Sequence, residues 1–150
     1  MAPDGRLCHV PKAMTRMHDE KQLRTMTPQA FHRLRCLHDF PYWAATCCYI
    51  KSKRGGDDIL FILNNAQRKL VRELEKMRLA RQPIRLILLK ARQWGGSTCA
   101  QLYMSWLQLM WKPGMNSLIV AQQHSGTQEI LDMFMKMIGR YPEEMLEDGL

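Results

Sequence analysis

The 150-residue chain has no apolar run of about 18 residues or more, which leaves no candidate for a membrane-spanning helix. Its N-terminal stretch, MAPDGRLCHVPKAMTRMHDEK, lacks an apolar central region and does not read as a secretory signal. Cysteine is sparse and odd in number: Cys8, Cys36, Cys47, Cys48 and Cys99. No common zinc spacing fits the adjacent Cys47 and Cys48, so a reduced, intracellular protein with packing cysteines is expected. There is no internal repeat and no low-complexity tract. Acidic residues are scarce in the middle of the chain. Residues 59–120 hold ten basic side chains against two acidic ones, whereas residues 1–58 hold ten against six and residues 121–150 two against six. The net charge of +8 is therefore concentrated centrally. That suits a polyanion partner such as nucleic acid or nucleotide, and equally a solvated basic helix face.

What is present is ordinary for a globular domain: 46% apolar and 24% charged residues. Residues 1–26 show no clear period and are expected to be irregular. Residues 27–58 read as a helical subregion. Thr27 and Pro28 mark a helix start, and Phe31, Leu34 and His38 recur at helical spacing. A second short helix is expected over DFPYWAATCCYI, anchored by Phe40, Tyr42 and Trp43, before a turn at KSKRGGDD. Asn64 caps a predicted helix over 65–81, with Ala66, Leu70, Val71, Leu74 and Met77 on one face and Gln82-Pro83 as its stop.

Residues 84–90, IRLILLK, read as a buried strand, too short for a buried helix. Ser97–Trp111 reads as a helix apolar nearly all round, stopped by KPG. NSLIVAQ reads as a second buried strand, followed by a helix from Ser125 that carries Ile130, Phe134, Met137 and Ile138. Strand, helix, strand, helix is the pattern of a parallel sheet with right-handed crossovers. Two strands are too few for a stable open sheet. The expected fold is α/β: residues 59–150 form the first part of a P-loop NTPase-type three-layer α/β/α core with parallel strands, a fragment of a larger domain.

Between the first strand and its helix lies KARQWGGST. The phosphate-loop pattern G-x-x-x-x-G-K-[ST] fits with Gly95 as second glycine and Ser97 as hydroxyl. Its first position then falls on Lys90, and its lysine position falls on Gly96. Backbone N–H groups at the helix start can cradle phosphate oxygens, and the glycines admit close approach. Ser97 is placed to ligate Mg2+, with Thr98 a second hydroxyl. The missing cation would come from Lys90, whose flexible stem can swing across, or from Arg92, better suited to bidentate contacts. By pattern alone, a tight strand-to-helix turn explains these residues as well.

The stretch resembles the deviant Walker A of the large terminase subunits of tailed bacteriophages: an Arg-Gln pair, a variable residue, glycine and hydroxyls, with some members carrying the lysine at the loop's start. FILNNAQRKLV resembles that family's adenine-recognition segment, and NSLIVAQQHSGTQEILDMFMKMI resembles its second core strand and following helix. The similarity runs from about Phe40 to Pro142. It implies an ATPase that drives double-stranded DNA into a procapsid and cuts it, with ATP and Mg2+ as cofactors. It also implies partners, namely portal protein and small terminase subunit, a homo-oligomeric ring, and a location in the bacterial host cytoplasm.

Carried onto this chain, the resemblance has Lys90 and Arg92 as catalytic cations and Gln67 reading adenine. Ala91, Gln93, Trp94, Gly95, Gly96 and Thr98 shape the loop, and Ser97 holds the metal. Each reading has a plainer rival: Gln67 as a surface residue, Arg92 as an ion-pair partner, Trp94 as packing, the methionines as core filler, and His124 as an exposed loop histidine. No four-apolar run ending in Asp-Glu occurs in the chain, so the family's Walker B carboxylates and nuclease domain have no counterpart here. Two other functions remain open: a helicase-type translocating ATPase, and a non-catalytic basic module that binds nucleic acid or a partner.

Overall fold

Aromatic side chains decide where the helices of this chain meet. In the computed structural model, which describes residues 12–15, 18–52, 55–89, 93–112, 114–118, 120 and 124–145, seven α-helices are formed. They are α1 (Lys12–Thr15), α2 (Glu20–Thr25), α3 (Pro28–His38), α4 (Phe40–Cys47), α5 (Asn65–Leu79), α6 (Gly96–Trp106) and α7 (His124–Ile138). A π-helical turn, Leu107–Trp111, continues α6, and a 3-10 turn, Glu143–Met145, follows α7.

Local chemistry accounts for the starts of these helices. Thr27 accepts a hydrogen bond from Ala30 N and precedes Pro28 at the first turn of α3. Asp39 repeats the device for α4, accepting from Tyr42 N ahead of Pro41. Where irregular chain is expected at the N-terminus, Asp19 caps α2.

The core is built where α4, α5 and α6 converge. Phe40 packs edge-on to Tyr103, with centroids 5.2 Å apart, and tilts against Trp106 at 5.6 Å. Leu70, Val71 and Leu74 close the cluster from α5, and Met137 and Tyr141 close it from the C-terminal side. The two fully buried tryptophans have their indole N–H groups paired. Trp43 Nε1 donates to Tyr141 Oη at 2.8 Å, and Trp106 Nε1 donates to the Cys36 carbonyl at 2.7 Å. Tyr103 Oη donates to Glu75 at 2.6 Å, and Arg78 forks onto the same carboxylate at 2.8 and 2.7 Å. A smaller cluster of Met14, Leu23 and Phe31 joins α1 and α2 to α3.

The expected parallel α/β/α core is not formed. Of the described residues, 62% are helical and 3% lie in strands. Among the described residues the sheet is one antiparallel pair, β1 (Tyr49–Ile50) with β2 (Ile59–Leu60), set around the glycine-rich turn. Residues 84–89 take no regular structure and face solvent, with Ile87 and Leu89 each 99% exposed. Residues 116–118 and 120 of the second expected strand are likewise irregular and exposed. The physical reason is that a short apolar run signals a covered, paired strand. Among the described residues nothing pairs with these segments or covers them. Among the described residues no helix is long and apolar enough to cross a membrane.

One ion-pair group ties the β1–β2 turn to α7. Asp58 accepts from Lys136 Nζ at 2.6 Å and lies 3.2 Å from Arg140 Nη1. The Lys136 hydrogen bond, with the Lys136 and Arg140 charges behind it, holds the Asp58 carboxyl below its ordinary range. A depressed folded-state value stabilises the fold above the unfolded carboxyl's value and loses that contribution as pH falls through the folded one. Asp58→Asn is therefore expected to lower Tm at neutral pH. The gap to the wild type should close as pH falls below about 4, measured by thermal unfolding across an acid pH series.

Candidate phosphate-binding loop

The loop is built from the start of α5 as much as from its own residues. Asn64 caps α5 in a reciprocal box. Its Oδ1 accepts from Gln67 N at 3.0 Å, while Gln67 Oε1 accepts from Asn64 N at 2.9 Å. That orientation sends the Gln67 amide nitrogen toward the loop, where it donates to the Trp94 carbonyl at 3.3 Å and the Gly95 carbonyl at 3.1 Å. Asn64 Nδ2 adds a third bond, to the Trp94 carbonyl at 3.1 Å. Gln67 is 4% exposed. Two side chains one turn apart thus hold the loop's carbonyls from behind.

The loop's backbone alternates in hand. Gln93 has φ +62° and Gly95 +77°, whereas Trp94 between them keeps a negative φ and Gly96 is already helical. Alternation of this kind is the backbone pattern of anion-binding concavities, in which successive N–H groups turn toward one side. Among the described residues no side chain caps α6; the N–H groups of Gly96, Ser97 and Thr98, in its first turn, have no intrahelical acceptor and add the positive end of the helix dipole.

Both glycines are required. At Gly95 the φ is left-handed, and a Cβ would lie 2.7 Å from Gln67 Nε2. At Gly96 a Cβ would lie 2.5 Å from Cζ2 of the Trp94 indole, which lies across it. Trp94 Nε1 is buried with no hydrogen-bond partner among the described residues. Behind the loop, Cys99 is a packed thiol; burial pushes it up to about 12.

Beside the loop is a cleft of about 490 Å3. Gln93, Gly95 and Thr98 form its polar end, and Ile50, Ile59, Phe61 and Ile62 its apolar wall. The two sequence motifs, FILNNAQ and QWGGST, therefore meet in one place. Thr98 faces the cleft, whereas Ser97 is exposed outside its lining. Lys90, Ala91 and Arg92 lie outside the described residues, as does the side chain of His124. Gln67 is spent in a particular way: its oxygen and its nitrogen are both engaged, so contact with a base would require release from a loop carbonyl.

Sequence reading alone missed Asn64 as a loop contact and the β1–β2 residues as a wall. The signal for the first was present, because an Asn-x-x-Gln box leaves one amide nitrogen on each side chain unused. For the second there was none, since the hairpin's apolar residues carry no motif. Comparisons with models of known protein families, with characterised proteins and with solved structures found no match.

The contact between Gly96 and Trp94 gives a double-mutant test. Gly96→Ala is expected to destabilise by about 1–3 kcal/mol, the usual cost of overpacking a closed site. Adding Trp94→Ala should recover part of that loss, so that the two changes are non-additive in urea unfolding.

Proposed function

We propose that this chain carries the nucleotide-binding part of an ATP-driven motor of the terminase large-subunit kind, which moves double-stranded DNA into a procapsid and cleaves it. The observation that carries the reading is the loop at Gln93–Gly96. Its alternating backbone ends at an uncapped helix start and is held from behind by Asn64 and Gln67, beside a cleft. Resemblance to the family's motifs supplies the rest.

In this reading the N–H groups of Gly95 to Thr98 take the β- and γ-phosphate oxygens. Lys90 and Arg92 neutralise the outer phosphates, and the apolar wall takes the base. Mg2+ supplies charge neutralisation on the phosphates, and the hydroxyls of Ser97 and Thr98 are the loop's ligands for it. The proposal extends to the family's partners: portal protein, small terminase subunit and a ring of copies in the host cytoplasm. Contacts to DNA would run mainly to backbone phosphates, because a packaging motor accepts any sequence.

Binding of ATP with Mg2+ to the full chain, measured by calorimetric titration, tests the reading. The wild type is expected to bind, and Lys90→Ala to bind about 10- to 100-fold more weakly, as for loss of a hydrogen bond to a charged group. Equal binding by both removes Lys90 from its role. No binding by the wild type leaves the glycine turn as a structural corner and favours a non-catalytic module. Turnover of ATP by these 150 residues is expected to be negligible, since no apolar run ending in Asp-Glu is present to activate water. Steady phosphate release by the purified chain would contradict that expectation.

A further inference from the structure

None of the loop residues takes part in a second cluster, formed where α3 meets α4. His32 and Cys36 are four positions apart on α3 and so share one face. Cys47 is the last residue of α4, the helix packed against it. One ligand atom from each of the three lies within 4.8 Å of the other two. His32 Nε2 is 3.7 Å from Cys36 Sγ. The other ring nitrogen, Nδ1, is 2.9 Å from Tyr42 Oη, which fixes the ring with Nε2 toward the thiols. Cys36 and Cys47 are reduced and fully buried, and His32 is half-buried.

We propose that His32, Cys36 and Cys47 form a binding site for zinc, ligated by one imidazole nitrogen and two thiolates. The distances suit the ion. With Zn–S of about 2.3 Å and Zn–N of about 2.05 Å, a tetrahedral centre sets sulfur and nitrogen about 3.6 Å apart and the two sulfurs about 3.8 Å apart. The first separation is 3.7 Å here, and the two sulfurs lie within 4.8 Å of each other, a small movement from that geometry. Binding releases two thiol protons to solvent, and two thiolates with Zn2+ leave no net charge in the buried site. Thiolate and imidazole donors select zinc over the hard cations Mg2+ and Ca2+.

Thr46 Oγ1, which donates to the Tyr42 carbonyl at 2.9 Å, lies 3.5 Å from Cys47 Sγ, and the fourth position is left to its lone pair or to water. A cleft of about 620 Å3, lined in part by Pro28, Gln29 and His32, reaches the imidazole side of the site. The ligand pattern, His-x3-Cys followed by Cys47, differs from the paired-cysteine spacings that a sequence search weighs.

The test uses the reduced full chain titrated with Co2+ and then Zn2+. One equivalent of cobalt should produce thiolate-to-cobalt charge-transfer absorption, which one equivalent of zinc then abolishes. Cys36→Ser, Cys47→Ser and His32→Gln should each lose the band, whereas Cys48→Ala retains it. Tyr42→Phe should keep it with affinity weakened about 10- to 100-fold, as for loss of an orienting partner. Far-UV circular dichroism identifies the folded variants. His32→Gln, at a half-buried position, serves if a cysteine variant does not fold. A folded wild type without the band overturns the site, and so does stoichiometric binding that survives in His32→Gln.

Discussion

The amide of Gln67 is the point on which the geometry of the loop turns. It closes the cap of α5 with its oxygen and holds two loop carbonyls with its nitrogen. Because those bonds draw the carbonyls of Trp94 and Gly95 to the α5 side, the N–H groups of the same loop are presented elsewhere. Peptide groups have only two sides: fixing where the C=O points fixes where the next N–H points. A phosphate cradle needs its N–H groups convergent before the anion arrives, since ordering them on binding would cost affinity. Gln67 and Asn64 supply that order from side chains that a ligand need not touch.

This arrangement also separates what was legible in the sequence from what was not. Helix starts were legible because their chemistry is local. Thr27-Pro28 and the Asn64 cap are read from a few adjacent residues and are found as expected. The helix through Leu102 and Trp106 was legible because an all-round apolar face must be covered, and the core covers it. The strands failed for the opposite reason. IRLILLK and NSLIVAQ report a demand for burial and pairing that depends on distant residues, and no described residue meets it. Composition states what a segment needs, and only the packed structure states what it has. The loop was legible in residue type but not in mechanism. Gln67 looked like a side chain free to read a base, and it is instead occupied within the fold.

The helix that starts at the loop also reaches the thiol cluster. Gly96 begins α6, and Trp106 ends it by donating to the carbonyl of Cys36. Between them, Cys99, Leu102 and Tyr103 pack into the core, where Phe40 and Trp43 stand on the neighbouring α4. One helix of about three turns thus takes its position from both ends. At the N-terminus, polar bonds from α5 set it; at the C-terminus, an indole bond to α3 does. Buried hydrogen bonds of this kind contribute only about 1 kcal/mol each to net stability, yet breaking one leaves an unpaired buried group at greater cost. Their main effect is therefore to exclude other registers of α6 against its neighbours.

The Trp94 indole explains why a phosphate loop here would lack its usual lysine. It lies across the first residue of α6, so close that even a methyl group at position 96 meets it at 2.5 Å. A lysine there would have to expel the indole, which packs against the core. Glycine at 96 and tryptophan at 94 are therefore two halves of one choice. Once made, that choice removes the cation from the helix start and leaves only backbone N–H groups and a half-charge of dipole to meet a triphosphate. If a nucleotide binds as proposed, its several negative charges need more than that, and the compensating cation would have to come from a part of the chain the indole does not cover. Lys90 and Arg92 are the basic residues nearest the loop in the sequence, and both precede Trp94. On the proposed function, an aromatic ring holds the place of the usual lysine, and the charge on a nucleotide would fall to those two residues.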